Sequence, residues 1–114
     1  SLFDSIPYEK QAKELINYID SIDSYEQSTR EMVEVYRKQN LDQLDSLVRK
    51  SDPGMNQYMD LLLYGRNRRW VRQMPTAMRE GTILFAVGAG HLAGDQGVIS
   101  LLRKEGYVLK PIKN

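Results

Sequence analysis

Apolar residues recur at the spacing of an amphipathic helix through the first two thirds of the chain. The first such stripe consists of four residues, Ala12, Leu15, Ile16 and Ile19. Pro7 suits the first turn of this helix, because the first helical positions need no backbone N–H. Ser24 followed by Gln27 matches a capping box and predicts the start of a second helix.

Two further helices are predicted before the chain changes character. Asn40 with Gln43 caps a short third helix, which ends at the turn sequence Asp52-Pro53-Gly54. A fourth helix runs from about Met55 to Met74. Pro75 breaks or kinks this helix, because proline removes a backbone donor and clashes with the preceding turn.

The last third of the chain has the pattern of a β-α-β unit. Residues 82–87 form an uninterrupted apolar run, typical of a strand that is buried on both faces. A glycine-rich turn, residues 88–94, follows, and Asp95 is placed to cap a helix that Gly106 ends. Residues 107–112 predict a second strand, with a right-handed crossover between the two.

These elements predict an α/β fold, or an α+β arrangement if the chain is a fragment. Two parallel strands do not form a stable sheet by themselves, and a strand so apolar needs neighbours on both faces. We therefore expect the sheet to be completed outside residues 1–114. The partner would be a missing N-terminal part of the same protein or a second copy of the chain in a homo-oligomer. A small α+β domain covered by its own helices is the alternative.

Composition and charge narrow the possible functions. The chain is 41% hydrophobic and 27% charged, with a formal net charge of +1, as in ordinary globular proteins. This balance provides no field that would attract nucleic acid or an anionic membrane. The absence of cysteine excludes disulfides and thiolate metal sites. The longest apolar run is too short to span a bilayer, and no signal peptide is visible.

His91 is the only histidine and lies in the glycine-rich turn at the carboxyl end of the first predicted strand. Ligands bind at that edge of parallel α/β sheets. Gly88 and Gly90 would let a ligand approach the backbone, and the helix start near Asp95 offers free N–H groups. His91 is therefore a candidate metal ligand or general base. A ring that only packs or hydrogen-bonds locally is the alternative.

Neither a dinucleotide site nor an RNA-binding surface is favoured. The turn resembles a dinucleotide fingerprint, but its last glycine comes one residue too late. The second strand also ends in lysines instead of the acidic residue that such sites need. The arginines around Trp70 have no interleaved aromatic partners, and the net charge is nearly neutral.

Arg66 and Asn67 form a second candidate group, on the fourth predicted helix. With about 100° per residue, Arg66 lies near the centre of an apolar stripe and Asn67 at its margin. The stripe contains Met59, Leu62, Leu63, Trp70 and Met74. The neighbouring arginines face away as a solvated basic face, Arg68, Arg69 and Arg72.

A charge on an apolar face is costly unless it is paired. Arg66 is thus predicted to have a carbonyl or carboxylate partner near residues 88–95. The structural alternatives are that Arg66 extends its charge to solvent along its stem or holds a buried carboxylate or carbonyl, and the functional one is that it orients a ligand or catalytic group beside His91. Asn67 accompanies Arg66 under both interpretations.

The string Leu84-Phe85-Ala86-Val87-Gly88-Ala89-Gly90-His91-Leu92 resembles the TraB/GumN family, which includes the Tiki-type proteases of animals. The similarity continues through residues 94–102 and into Gly106-Tyr107. Arg66-Asn67 followed by Trp70 matches a second landmark of that family. Residues 2–7 are similar to the stretch that follows the family's central acidic motif.

The resemblance implies an α/β domain with two G-x-x-H motifs, an acidic residue and, in the Tiki branch, metal-dependent peptidase activity. Residues 88–91 are similar to the second G-x-x-H. The first G-x-x-H and the acidic motif would precede Ser1. Residues 1–114 are therefore expected to be the C-terminal segment of one domain, helical over 1–80 and β-α-β over 81–114.

The resemblance also implies roles for individual residues. His91 would be the metal ligand or base, and Arg66 and Asn67 would support catalysis from the long helix. Gly88 and Gly90 would shape the turn that carries His91, and Gly88, Gly90 and Asp95 would lie against the bound ligand. Gly65 stands where the family often has an acidic residue, which puts any role of that acid in doubt.

The expected function is thus that of the C-terminal part of a metal-dependent, peptidase-like hydrolase. A catalytic zinc-type site needs about three protein ligands, so the fragment alone should be inactive and should not bind its divalent metal tightly. The identity of that metal is open. The family resemblance implies a bacterial exported or cell-envelope protein. A non-enzymatic module that binds a small ligand, haem or a peptide, or that serves assembly, is the alternative function.

Overall fold

The computed structural model of the protein describes residues 3–51 and 53–112, and its regular elements in these ranges are helices. The five α-helices are α1 (Tyr8–Asp20), α2 (Ile22–Arg37), α3 (Leu41–Ser51), α4 (Gly65–Arg79) and α5 (Val98–Lys104). Short 3₁₀ helices cover Phe3–Ser5, Pro53–Tyr58 and Ala89–His91. A π-helix, Asp60–Tyr64, directly precedes α4. None of the helices in the described ranges is both long and apolar enough to cross a bilayer.

The chain divides into two compact units, Ser1–Asn40 and Leu41–Asn114. In the first unit α1 contacts α2, and the rings of Tyr18 and Tyr25 stack with their centroids 4.9 Å apart. In the second unit α4 packs against α5. The second unit contains all of the candidate site residues.

Of the starts predicted for the first three helices, those of α1 and α3 are confirmed and that of α2 is wrong. The carbonyl of Pro7 accepts the first backbone bonds of α1, and α3 begins directly after Asn40. The start predicted at Ser24 is wrong, because α2 already begins at Ile22 with Ser21 as its N-cap. Only Ser21 separates α1 from α2, so the backbone is already helical when it reaches Ser24. The turn predicted after α3 includes Asp52, which lies outside the described residues.

Pro75 was predicted to break or kink the helix; the break is wrong, because α4 continues through this residue to Arg79, and the kink stays a prediction. Proline removes the one backbone bond that its N–H would donate to the carbonyl of Val71. The side chains of Val71 and Met74 are buried in the core between α4 and α5, which offsets that loss. The predicted start near Met55 is also wrong, since 3₁₀ and π turns occupy the chain before Gly65.

The core of the second unit lies between α4 and α5. Its buried members are Val71, Met74, Val98 and Leu102. Five partly buried side chains pack around them, Trp70, Met78, Leu92, Leu101 and Leu109. This core holds α4 beside the turn that carries His91.

The end of α5 at Gly106 is confirmed by its hydrogen bonds. Gly106 has φ +93°, a conformation that glycine adopts without strain. Its N–H bonds the carbonyl of Arg103, and the N–H of Tyr107 bonds the carbonyl of Leu102. This pair of bonds is a Schellman motif, which satisfies carbonyls that the helix end leaves free.

The predicted α/β fold with a β-α-β unit is wrong, because residues 3–51 and 53–112 contain no β-strand. Residues 82–88 and 107–112 form no regular secondary structure and do not pair with each other. Leu84 is 90% exposed, whereas a strand buried on both faces would hide it, and Val108 in the second predicted strand is 84% exposed. A strand forms only through hydrogen bonds to a neighbouring strand, and an apolar, β-branched composition does not supply that neighbour. Of the predicted unit, only the helix forms.

We expect Leu84→Asn to change the free energy of unfolding of the chain by less than about 0.5 kcal/mol. The Leu84 side chain is almost fully exposed, so its replacement removes little buried apolar area. Urea denaturation of the wild type and the variant measures the difference. A loss of about 2 kcal/mol or more would mean that Leu84 is buried as a core strand residue.

Candidate functional site

The buried face of α4 is centred on Asn67, followed at helical spacing by Val71 and Met74. The prediction that put Arg66 at the centre of the stripe and Asn67 at its margin is therefore wrong. The π-helix before α4 explains the error. The N–H of Gly65 bonds the carbonyl of Asp60, five residues back, so a uniform 100° step does not hold upstream of α4.

Asn67 joins α4 to the glycine-rich turn and to the chain between that turn and α5. Its side chain is 0% exposed. Its amide Nδ2 donates to the backbone carbonyl of Gln96 at 2.8 Å. Its Oδ1 lies 2.7 Å from Nδ1 of His91. A single buried side chain thus holds the His91 turn and the chain that enters α5 against α4.

His91 ends a 3₁₀ turn, Ala89–His91, in which its N–H bonds the carbonyl of Gly88 at 2.9 Å. The partly buried ring stacks against Trp70, with centroids 4.7 Å apart and an interplanar angle of 46°. Burial lowers the pKa of His91 below its usual value, and the positive charge of Arg66 lowers it further. Both effects favour the neutral ring over the imidazolium, and the neutral ring is the form that binds metals or accepts a proton.

Arg66 contacts the aromatic face of Trp70, whose ring also stacks against His91. Its Cζ lies 5.1 Å from the centre of the Trp70 ring, within the range of a cation–π interaction. The predicted carbonyl or carboxylate partner near residues 88–95 is wrong, since Arg66 has no hydrogen bond or ion pair within the described residues. Arg66 therefore acts on His91 through its charge and through the shared contact with Trp70.

Arg68 is partly buried, so its placement on the solvated basic face is wrong. Its guanidinium bonds Asp60 Oδ1 at 2.6 Å and approaches Gln96 Oε1 at 3.4 Å. Arg69 and Arg72 are exposed, as predicted. Arg69 and Arg72 are thus the appropriate control positions on α4.

The glycines of the turn differ in how strongly the backbone requires them. Neither Gly88 nor Gly90 has a positive φ, and a Cβ would meet only one atom at 3.9 Å at Gly88 and none within 4 Å at Gly90. Gly94, in contrast, has φ +77°, and Gly97 leaves no room for a Cβ beside the carbonyls of Leu92 and Ala93. Gly88 and Gly90 are the residues predicted to shape the turn. The backbone instead requires glycine at Gly94 and Gly97.

Asp95 does not cap α5. Its side chain is exposed, and the N-cap position is taken by Gly97. The described contact of Asp95 is its backbone carbonyl, which lies 3.5 Å from Nζ of Lys104. Contact of Gly88, Gly90 or Asp95 with a ligand therefore stays a prediction.

The described residues offer one imidazole to a metal ion but not a complete centre. No group of three or more His, Cys, Asp or Glu side chains within them is placed to hold a cation. Asn67 holds one ring nitrogen of His91, and the lowered pKa favours the neutral ring, so His91 fits the role of a single ligand.

An apolar groove of about 420 Å³ lies beside the site. It is bounded by α4 and by residues 84–87. Trp70 lines this groove and also stacks on His91. A ligand in the groove would therefore contact the indole ring that stacks on His91.

We expect Arg66→Ala to raise the pKa of His91, because it removes a positive charge that disfavours the imidazolium form. Arg66→Lys keeps the charge and should leave the pKa nearer to the wild-type value. An NMR pH titration of the single histidine measures this directly. Arg69→Ala is the control, since Arg69 is exposed. Equal His91 pKa values in Arg66→Ala and Arg69→Ala would contradict the electrostatic role of Arg66.

The family model described as the TraB/PrgY/gumN family matches residues 1–111. The chain belongs to this family. The match includes α4, the glycine-rich turn and α5, which are the elements that bring Asn67 and His91 together. It confirms the resemblance that the G-x-x-H turn and the Arg66-Asn67 pair indicated.

Curated relatives of this family member carry the name metalloprotease TIKI. Metalloprotease TIKI2 of Xenopus tropicalis is 26% identical over 107 residues, which is 90% of this chain and 16% of that protein. A TIKI homolog of Amphimedon queenslandica is 41% identical over 49 residues, 40% of this chain and 10% of its own length. A homolog of Nematostella vectensis is 31% identical over 74 residues, 61% of this chain and 16% of its own length. The chain thus spans less than a fifth of the length of these relatives. No solved structure matches it significantly.

Proposed function

We propose that this chain supplies the imidazole of His91 to the centre of a metal-dependent, peptidase-like hydrolase. The observation that carries the proposal is the 2.7 Å contact between His91 and the fully buried Asn67. This contact directs Nδ1 of His91 toward Asn67 and leaves Nε2 for a ligand. The printed name of the relatives, metalloprotease, supports hydrolysis of a peptide bond as the reaction.

His91 would provide one ligand to the metal or act as the general base. The remaining ligands would come from outside the described residues, because a catalytic centre of this kind needs about three. When bound, a divalent metal polarises a carbonyl and activates water. Trp70 and Arg66 would flank the site, and a residue of the substrate would occupy the groove beside Trp70.

The experiment uses the longest natural form of the protein and a fluorogenic peptide library. Activity should be lost with a chelator and restored by a divalent metal. His91→Ala should reduce metal-dependent turnover by at least about 100-fold, as removal of a metal ligand or general base does. Arg72→Ala is the matched control on the exposed face of α4. Undiminished metal-dependent turnover in His91→Ala would overturn the proposal.

A non-enzymatic ligand-binding module is the second candidate. The observation that favours it is the 420 Å³ apolar groove, which has the size and lining of a small-molecule site. Tight binding of an apolar ligand without turnover, weakened by Trp70→Ala, would support this function. Metal-dependent peptide cleavage by the same protein would exclude it as the main activity.

A further inference from the structure

The orientation of the Asn67 amide follows from its surroundings. The carbonyl oxygen of Gln96 accepts hydrogen bonds and cannot donate them. The Asn67 atom that lies 2.8 Å from this carbonyl must therefore be the NH₂ group. Asn67 is 0% exposed, so water does not compete for either end of the amide.

The orientation of the amide determines which nitrogen of His91 carries the proton. With its NH₂ group on Gln96, Asn67 presents its oxygen to His91 Nδ1 at 2.7 Å. An amide oxygen only accepts, so Nδ1 must donate. In the neutral ring the lone pair is then on Nε2.

We propose that Asn67 is a positioning residue that holds His91 in the Nδ1–H tautomer and thereby presents the Nε2 lone pair to a metal ion or a proton. The use of that lone pair rests on the proposed function. The tautomer itself rests only on the contacts of Asn67 and does not require a metal.

An amide suits this role better than a carboxylate would. A buried carboxylate beside His91 would favour the imidazolium form, which has no free lone pair. Asn67 orients the ring through its amide oxygen without adding a charge beside it.

The tautomer is measured by ¹⁵N and ¹³C NMR of the full chain, above the titration range of His91 and without metal. The chain has one histidine, so its ring resonances need no assignment by mutation. We expect Nδ1 to show the shift of a protonated nitrogen and Nε2 that of an unprotonated one. Asn67→Leu should move the ring toward the Nε2–H tautomer, which a free histidine ring favours in water. An unprotonated Nδ1 in the wild type would overturn the proposal.

Two further variants separate positioning from general destabilisation. Val71→Ala removes core packing one turn along α4 and should leave the tautomer unchanged. Asn67→Asp keeps an acceptor beside Nδ1 but raises the pKa of His91, so this variant is measured above its own, higher titration range, where the neutral ring should retain the Nδ1–H tautomer. The test thus does not depend on whether Asn67→Leu folds. Loss of the Nδ1–H tautomer in Val71→Ala, or in Asn67→Asp, would contradict a specific role for Asn67. A wild-type Nδ1–H tautomer combined with full activity of His91→Ala would refute the hydrolase proposal alone.

Discussion

Gly97→Ala is expected to lower the free energy of unfolding by about 3 kcal/mol. Gly97 is buried at the N-cap of α5, and its N–H bonds the carbonyl of Gly94 at 3.0 Å. An alanine Cβ would overlap the carbonyl oxygens of Leu92 and Ala93. These are backbone atoms, so the clash is relieved only by moving the turn or the start of α5. Urea denaturation of the wild type and the variant measures the loss.

Gly90→Ala is the matched control for this substitution. It makes the same chemical change seven residues earlier, where no atom lies within 4 Å of the new Cβ and φ is not positive. We expect the free energy of unfolding to change by less than about 1 kcal/mol, with stabilisation as the favoured direction. Equal losses at both positions would show that the turn depends on Gly90 as the sequence pattern suggested.

Local signals in the sequence were sufficient to predict that the helices exist, although not where α2, α4 and α5 begin. Pro7 and Gly106 act at the ends of α1 and α5 through the backbone of their own segment, and both were predicted. The apolar run at residues 82–87 was misread because a strand depends on a neighbour that composition cannot provide. Propensity alone describes a segment that could pair, and the described chain contains nothing that pairs with it.

The sequence identified residues of the site but did not predict which of them contact one another. His91 and Asn67 were both singled out, and the structure brings them to 2.7 Å. Their contact links residues 24 positions apart, so local periodicity carries no signal for it. Arg66 was placed at the centre of the buried face in place of Asn67 because a π-helix precedes α4. The i to i+5 hydrogen bond of that π-helix has no sequence signature. An angular count restricted to the residues after Gly65 would have placed Asn67 inward.

The residues that the sequence reasoning missed are Gly94 and Gly97. Both belong to the string Gly94-Asp95-Gln96-Gly97, in which two glycines flank the carbonyl that Asn67 holds. Their importance depends on backbone approach and on φ, which become visible only when the turn is folded. Two glycines this close before an apolar helix were nevertheless a usable signal of a tight helix entry.

Asn67 makes two side-chain hydrogen bonds, to the backbone carbonyl of Gln96 and to Nδ1 of His91. Truncation to alanine leaves the Gln96 carbonyl and the Nδ1–H of His91 without their partner in a buried site. Each buried polar group that loses its partner costs about 1–3 kcal/mol. The small cavity that remains adds to this cost. The two bonds also attach His91 and Gln96 to α4, so their loss loosens both the turn and the chain that leads into α5.

We therefore expect Asn67→Ala to lower the free energy of unfolding by about 2–4 kcal/mol. Arg69→Ala is the control two residues along the same helix, and because Arg69 is exposed its effect should stay within about 0.5 kcal/mol. Urea denaturation measures both, and hydrogen exchange of the His91 and Leu92 amides tests whether the turn opens first. A loss below about 1 kcal/mol at Asn67 would mean that water reaches the Gln96 carbonyl and the histidine ring. Asn67 would then not be the residue that holds His91 against α4.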